Sequence, residues 1–466
     1  MIGRYLPDDG FRILRLTGAM VALVLLLGAN EASADLFRPA STADARTAQS
    51  EASGRSPMGV PARERLVRLD PAVLARHLVP SGTDLAPNRA ERAQQLDGTV
   101  LIRLFPDVAA TFRRSEVEAL ETGGVAWTGD VAGRAFSTAT LVISNDQITG
   151  MVQLGRRVFS IEPVSKLIHR IIEIDPNGFP PEHAHPVPQA PTGELPVITP
   201  PRARLPQDVE PQATAGTRIR VLVAYTQAAA AQSPNIVNDI NLAIVLGNQA
   251  LARGATRIRL VLTRATAINY NEGTDFSANL NALTSGSRFD RIRQLRTRTR
   301  SDLVALLRKS GGSCGIAWYL PNPSAATKDY GFSVIARNCI TNHSFIHELG
   351  HNMGLRHDRY VNAPAPNSEY NFGYVNLPAR IRSIMAYNDQ CAANGVSCTR
   401  VNFFSSPRRP CINDGQSYGC TSSTKIGVRA GRPGAADAAR RLSETRTAIG
   451  AYLDVETAEA PVPMAD

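Results

Sequence analysis

The sequence predicts an α/β (α+β) domain in its C-terminal half, preceded by a smaller β-rich domain. Three observations predict this. Strand-like and helix-like segments alternate after residue 216, and short alternating runs punctuated by Gly, Asn and Asp fill residues 99–172. Between them, residues 175–215 carry many prolines and no periodicity. With 466 residues, 43% of them hydrophobic, the chain has room for two or three domains with a sizeable core.

The N-terminus reads as an export signal. Arg4, Arg12 and Arg15 precede an apolar run over residues 20–27, and Ala32-Ser33-Ala34 supplies an A-x-A cleavage site. The run is shorter than the roughly 18–20 residues that span a bilayer, and no longer one follows. The mature chain is therefore expected to begin near Asp35, secreted (extracellular or periplasmic) and without a stable membrane anchor. A buried N-terminal helix or an uncleaved anchor is the competing reading. Cysteine placement agrees with export: all six (Cys314, Cys339, Cys391, Cys398, Cys411 and Cys420) lie in the C-terminal part. Six cysteines allow about 15 full pairings. Proximity favours 314–339, 391–398 and 411–420.

Residues 35–95 are rich in Ala, Arg and Ser and suggest a loose lead-in with a short helix near 73–78. Strand runs follow at 100–104, 134–143, 147–153 and 157–161. The proline-rich segment, with Pro180-Pro181, Pro200-Pro201 and Pro211, reads as an extended, exposed linker open to proteolysis. This order suggests a zymogen: signal 1–34, prodomain 35–174, linker 175–216, enzyme domain 217–455 and tail 456–466. A stable accessory domain that is never removed is the alternative.

In the large domain, residues 218–225 form a strand with Ile219, Val221, Val223 and Tyr225 on one face. Residues 235–253 form an amphipathic helix that stops at Gly254. Further strands are expected at 257–262, 302–307, 315–320 and 331–340. The net charge is +10, and the whole positive excess falls after residue 216. The densest run, residues 288–300, reads as a helix with a solvated basic face. No nucleic-acid motif accompanies the charge, so no nucleic-acid partner is expected.

The chemistry is concentrated in His347-Glu348-Leu-Gly-His351-Asn-Met-Gly354-Leu-Arg-His357-Asp358. On a helix, residues four apart share a face, so His347 and His351 can meet one ion. Gly354 can end that helix in the left-handed conformation, and His357 can return as a third ligand. Three neutral imidazoles leave Zn²⁺ an open position for water, and Glu348 can serve as its general base. H-E-x-x-H alone is moderate evidence. The extended pattern H-E-x-x-H-x-x-G-x-x-H is far more specific, and it takes three of the chain's eight histidines.

This motif, with Ser383-Ile-Met385-Ala-Tyr387 downstream, resembles the metzincin clan of zinc peptidases. Asp358 directly after the third histidine is similar to the reprolysin (adamalysin) type, a look shared by bacterial secreted peptidyl-Asp metalloendopeptidases. The likeness spans roughly residues 217–453. It implies a metzincin-like catalytic domain with a twisted, mostly parallel sheet and an active-site helix. It also implies one catalytic Zn²⁺, Met385 as an apolar floor beneath the histidines, and Asp358 as a local support. The substrate would lie along residues 317–320, making Ala317, Trp318 and Tyr319 substrate-binding. Tyr387 is more like astacins and serralysins, as an extra ligand or oxyanion donor, with a packing role as its alternative. The prodomain holds no cysteine to silence zinc, so Asp175, Glu182, His183 or His185 near the linker could supply a blocking ligand.

The function read from this is a secreted zinc endopeptidase cutting internal bonds of proteins or peptides, a monomer by default. A zinc amidase acting on cell-wall peptides is the enzymatic alternative. A non-catalytic adhesin or toxin-like binding protein is the other, and an intact Glu348 argues against it. Ca²⁺ would suit an exported peptidase, but no motif for it is present.

Overall fold

The computed structural model describes residues 35–51, 54–79, 98–134, 136–182, 187–190, 216–362, 364–408 and 426–453. The expected signal, the Cys411–Cys420 pair, His183, His185 and the tail lie outside the described residues. Within residues 99–174, alternation drives a meander. Val100, Ile102 and Leu104 of β3 (Thr99–Phe105) are wholly buried, while the residues between them are partly exposed. The other strands are β1 (Phe37–Pro39), β2 (Pro61–Leu69), β4 (Val108–Ala119), β5 (Val125–Asp130), β6 (Ser137–Ser144), β7 (Gln147–Leu154), β8 (Arg157–Pro163) and β9 (Ile168–Ile174). Every pairing is antiparallel, in the order β1-β2-β9-β8-β7-β6-β5-β4-β3. The two ends of the sheet meet: Leu36 N–H donates to Leu101 O at 2.9 Å, and Asp35 pairs with Arg103 at 3.0 Å. Closure removes the unpaired edges that an open sheet would present.

The loose lead-in is corrected. Residues 35–79 contribute β1, the helix Thr42–Glu51 and β2. β2 escaped notice because its sequence, Pro-Ala-Arg-Glu-Arg-Leu-Val-Arg-Leu, buries only Val67 and Leu69 and is charged elsewhere. The expected strand 134–143 begins only at Ser137, after Phe136 takes a positive φ of 50°.

His169 of β9 is completely buried. Its Nε2 accepts the Ile148 N–H at 3.0 Å, and its Nδ1 faces Leu167 O at 3.4 Å, so the neutral ring is satisfied. Burial holds its pKa down at about 4, against an ordinary 6.5. Between those values the unfolded chain binds a proton that the folded chain refuses. Stability is therefore present above the ordinary value and lost as pH falls through the window, by about 3 kcal/mol in all. Urea unfolding of the full chain from pH 7 to pH 4.5 should show this slope, and His169→Gln should flatten it. An equal slope in both proteins would mean that other groups carry the acid sensitivity.

The large domain is built on a five-stranded sheet. Its strands are β10 (Thr217–Thr226), β11 (Ile258–Ile268), β12 (Leu303–Arg308), β13 (Gly315–Ala317) and β14 (Phe332–Ala336), in the order β11-β10-β12-β14-β13. All pairings are parallel except that of the edge strand β13. Both faces are covered, which is why β12 is apolar almost without alternation. Ile219, Val221 and Val223 face a core shared with the helix Ile236–Arg253, which ends at Gly254 as its sequence indicates. Leu222 and Ala224 face a second core against the helix Phe276–Ser285.

Three expectations for this domain change. The strand at 331–340 ends at Ala336 and tightens into a 3₁₀ turn, Arg337–Asn342. The strand at 315–320 keeps its ladder only to Ala317. The basic helix, Asp290–Arg298, is solvated at Arg291 and Arg298 but not at Arg296. Arg296 is buried against the Phe332 ring at 4.9 Å and donates to Asp302 O at 2.7 Å.

The β-barrel packs on the helix Ile236–Arg253. Met58, Val142, Met151 and Ile172 share one core with Ile240, Ala243 and Ile244. Gln249 Nε2 donates to Thr128 and Thr140 hydroxyls at 3.0 and 2.9 Å. Arg337 closes the junction. Its Nε meets Asp239 at 2.6 Å, its Nη2 meets barrel residue Glu162 at 3.4 Å, and its Nη1 donates to Ser56 O.

Candidate metal centre and cleft

The helix Ser344–Asn352 presents His347 and His351 on one face. Each is oriented from behind. His347 Nδ1 lies 2.9 Å from Ile384 O, and His351 Nδ1 lies 2.9 Å from Leu355 O. A carbonyl only accepts, so both Nδ1 atoms carry the hydrogen and both Nε2 atoms offer lone pairs. Those two Nε2 atoms face each other at 3.2 Å, an arrangement that favours a cation between them. Gly354, at φ +93°, turns the chain back after the helix, and His357 arrives on the short strand Arg356–Asp358. Ligand atoms of His347, His351 and His357 all lie within 4.8 Å of one another, and all three side chains are buried. Three neutral imidazoles suit Zn²⁺, and the set fits it.

Glu348 stands beside this cluster, buried. Burial first, then the neighbouring Glu182 charge, pushes its carboxyl well above the ordinary range. Its room is created by Gly315 on the edge strand: a Cβ there would come within 2.5 Å of Glu348 Oε1. Gly315→Ala is therefore expected to displace the carboxylate and lower kcat/KM by about 10²-fold without loss of metal. Peptide hydrolysis and metal content measured on one preparation check this, and wild-type activity would show that the carboxylate has space to spare.

Met385 is buried beneath the helix, where a Cβ on Gly350 would lie 2.7 Å from its sulfur. Asp358 ties the two halves together. Its Oδ2 accepts the Tyr387 N–H at 2.8 Å and its Oδ1 the Tyr360 N–H at 3.0 Å. The Tyr387 ring lies 4.0 Å from that of His357, and burial raises its phenol pKa well above the usual value.

The edge of the sheet is pinned to the same helix: Asn352 Nδ2 donates to Trp318 O at 2.9 Å and to Phe332 O at 3.1 Å. Of the expected substrate-binding residues, Ala317 is buried, and the Trp318 indole donates to Thr284 at 2.8 Å. Tyr319 offers its backbone, and the linker takes it. Tyr319 N–H donates to Pro188 O at 2.8 Å, Ala190 N–H to Tyr319 O at 3.3 Å, and Cys314 N–H to Pro181 O at 3.1 Å. The described part of the linker is thus hydrogen-bonded to the sheet edge, although Pro176, Asn177, Pro181 and Gln189 stay exposed. Residues 176–182 and 187–190 lie along the cleft, and Ala190 is buried. Asp175 accepts the Asn177 N–H at 2.9 Å and donates its own N–H to Val60 O at 2.8 Å, and it is not part of the cluster around the histidines.

Glu182 is different. Its carboxylate lies within 4.8 Å of a His347 nitrogen and a Glu348 oxygen, on a cavity of about 480 Å³ that Tyr387 and Arg382 also line. Sequence reasoning missed Arg382 and Arg400. Both are buried on short strands that carry no motif; Arg382 lines this cavity, and Arg400 stands behind it, paired with Glu182. Their only signal was a cationic excess that no pattern localised. The disulfides Cys314–Cys339 and Cys391–Cys398 form as proximity suggested, and the first ties the start of β13 to the turn before the site helix.

A reprolysin-type profile described as "Metallo-peptidase family M12" matches residues 215–399. A peptidyl-Asp metalloendopeptidase of Stenotrophomonas maltophilia is 30% identical over 362 residues, covering 73% of this chain and 79% of its own. One from Xanthomonas campestris is 27% identical over 462 residues, covering 94% and 98%. The three-histidine cluster lies within the matched region, and the chain belongs to the reprolysin-like M12 metallopeptidases, as a zinc metalloendopeptidase.

Proposed function

We propose that this chain is exported as a zymogen and, once matured, cuts internal peptide bonds at a zinc ion held by His347, His351 and His357, with Glu348 as the proton carrier. The observation that carries this reading is the pair of imidazole Nε2 atoms facing each other at 3.2 Å beside the buried Glu348. When bound, zinc acidifies water and polarises the scissile carbonyl. Glu348 takes a proton from the attacking water and hands it to the leaving nitrogen. Met385 floors the site, Gly354 and Asp358 fix the return of the third histidine, and Tyr387 packs on that ring at the cavity wall. Residues 35–174 act as prodomain and 175–216 as linker. Both described disulfides suit an oxidising compartment.

The name of the relatives, together with the cationic surplus of this domain, supports a preference for an acidic residue beside the cut. The test is product mapping. An unfolded protein is digested with the matured enzyme, with and without a chelator, and the new termini are read by mass spectrometry. Chelator-sensitive internal cuts beside acidic residues are expected. Absence of cuts from a folded, zinc-loaded enzyme would remove the peptidase reading.

A further inference from the structure

The buried polar cluster beside the histidines contains a charge problem. Arg400 is 3% exposed and Arg382 6% exposed, and both donate to the same acceptor, Ala386 O, at 3.2 and 2.6 Å. Among the described residues Arg382 forms no ion pair, and the carboxylate that Arg400 pairs with is Glu182. Glu182 Oε1 also accepts from Asn342 Nδ2 at 3.1 Å and Ser344 Oγ at 3.3 Å. Its Oε2 is buried with no hydrogen-bond partner among the described residues. The acid that Arg400 pairs with thus comes from the linker, while Asp389 lines the cavity on the Arg382 side. A buried charge stripped of its partner is strongly destabilising. If maturation removes the linker, Arg400 is left without its paired carboxylate until another one enters. Linker backbone pairs with the cleft on both sides of Glu182, at Pro181 and at Pro188. The pocket therefore receives a side chain from within a peptide rather than a free C-terminus.

We propose that Arg400, assisted by Asn342 and Ser344, is the specificity-determining group that receives an acidic substrate side chain beside the scissile bond, and that Glu182 fills this position in the intact chain. The proposal rests on the peptidase reading and adds the residues that choose the substrate.

Two measurements test it. In the first, matured enzyme cleaves paired peptides that differ only by Asp or Asn at the selected position. Wild type should prefer Asp by at least about 100-fold in kcat/KM. Arg400→Gln should bring the ratio within about 3-fold, and Arg400→Lys should keep about 10-fold, since charge survives without the planar fork. An unchanged ratio in a folded Arg400→Gln enzyme overturns the proposal, and Glu182 would then be only a cap over the histidines. In the second, hydrogen exchange is followed in the full chain, held intact by Glu348→Ala. Adding Glu182→Gln should speed exchange at the Cys314 and Tyr319 amides by about 10-fold or more. Unchanged protection there overturns the stand-in role even if Arg400→Gln fails to fold. Should no variant cut any peptide, the peptidase reading falls, while the exchange result still reports on Glu182.

Discussion

Replacing Glu348 by Gln is expected to lower kcat by about 10³-fold with zinc still bound. The amide keeps the shape that Gly315 makes room for, so packing around the site helix is retained. Neither helix histidine depends on Glu348 for orientation. His347 and His351 are held through Nδ1 by Ile384 and Leu355 carbonyls. What the amide cannot do is accept and return a proton. The loss should therefore fall on kcat and leave KM little changed, the signature of an interaction made in the transition state. Steady-state kinetics on an internally quenched peptide, with metal analysis of the same sample, check this. A rate loss that merely tracks lost zinc would assign Glu348 a structural role.

Arg337→Met is expected to destabilise the full chain by about 3–5 kcal/mol. Arg337 is fully buried, and it holds Asp239 of the large domain and Glu162 of the barrel. Without it those carboxylates remain close together and buried, Glu162 with only Arg170 at 3.8 Å and Asp239 with no other ion pair among the described residues. Burial already raises the Asp239 pKa despite the arginine. Asp239 would keep the Ser233 hydroxyl at 2.6 Å, and Glu162 the Met58 N–H at 2.7 Å, so hydrogen bonds survive while the charge balance does not. Urea unfolding measures the loss. The triple variant with Asp239→Asn and Glu162→Gln should recover most of it, because the uncompensated charge is then gone. If the triple variant is no more stable than Arg337→Met, lost packing and not charge is the cause.

Sequence patterns revealed the zinc motif and the strand–helix alternation around it because both obey local periods. Gly354 was legible for the same reason: a helix stop by a left-handed residue is a local event. β2 was not, since its inward positions are few and its outward ones charged. Arg382 and Arg400 were hidden for a deeper reason. A buried arginine has the same letter as a solvated one, and what buries it comes from segments over 200 residues away, as with Glu182 and Arg400. The strand over 331–340 was drawn too long because Cys339 and Ile340 resume apolar character after Arg337 and Asn338, while the backbone tightens at Arg337 into the turn that precedes the site helix.

The pairing of Pro188 and Ala190 with Tyr319 is made within one chain, so its effective concentration is set by the tether and not by how much protein is present. Diluting the intact chain leaves that occupancy unchanged. A single cut between residues 190 and 216 changes the order of the reaction. The strap and barrel become a separate molecule, held by the apolar face around Met58, Val142 and Ile172. From then on, on the proposed maturation, occupancy of the cleft would fall as the solution is diluted.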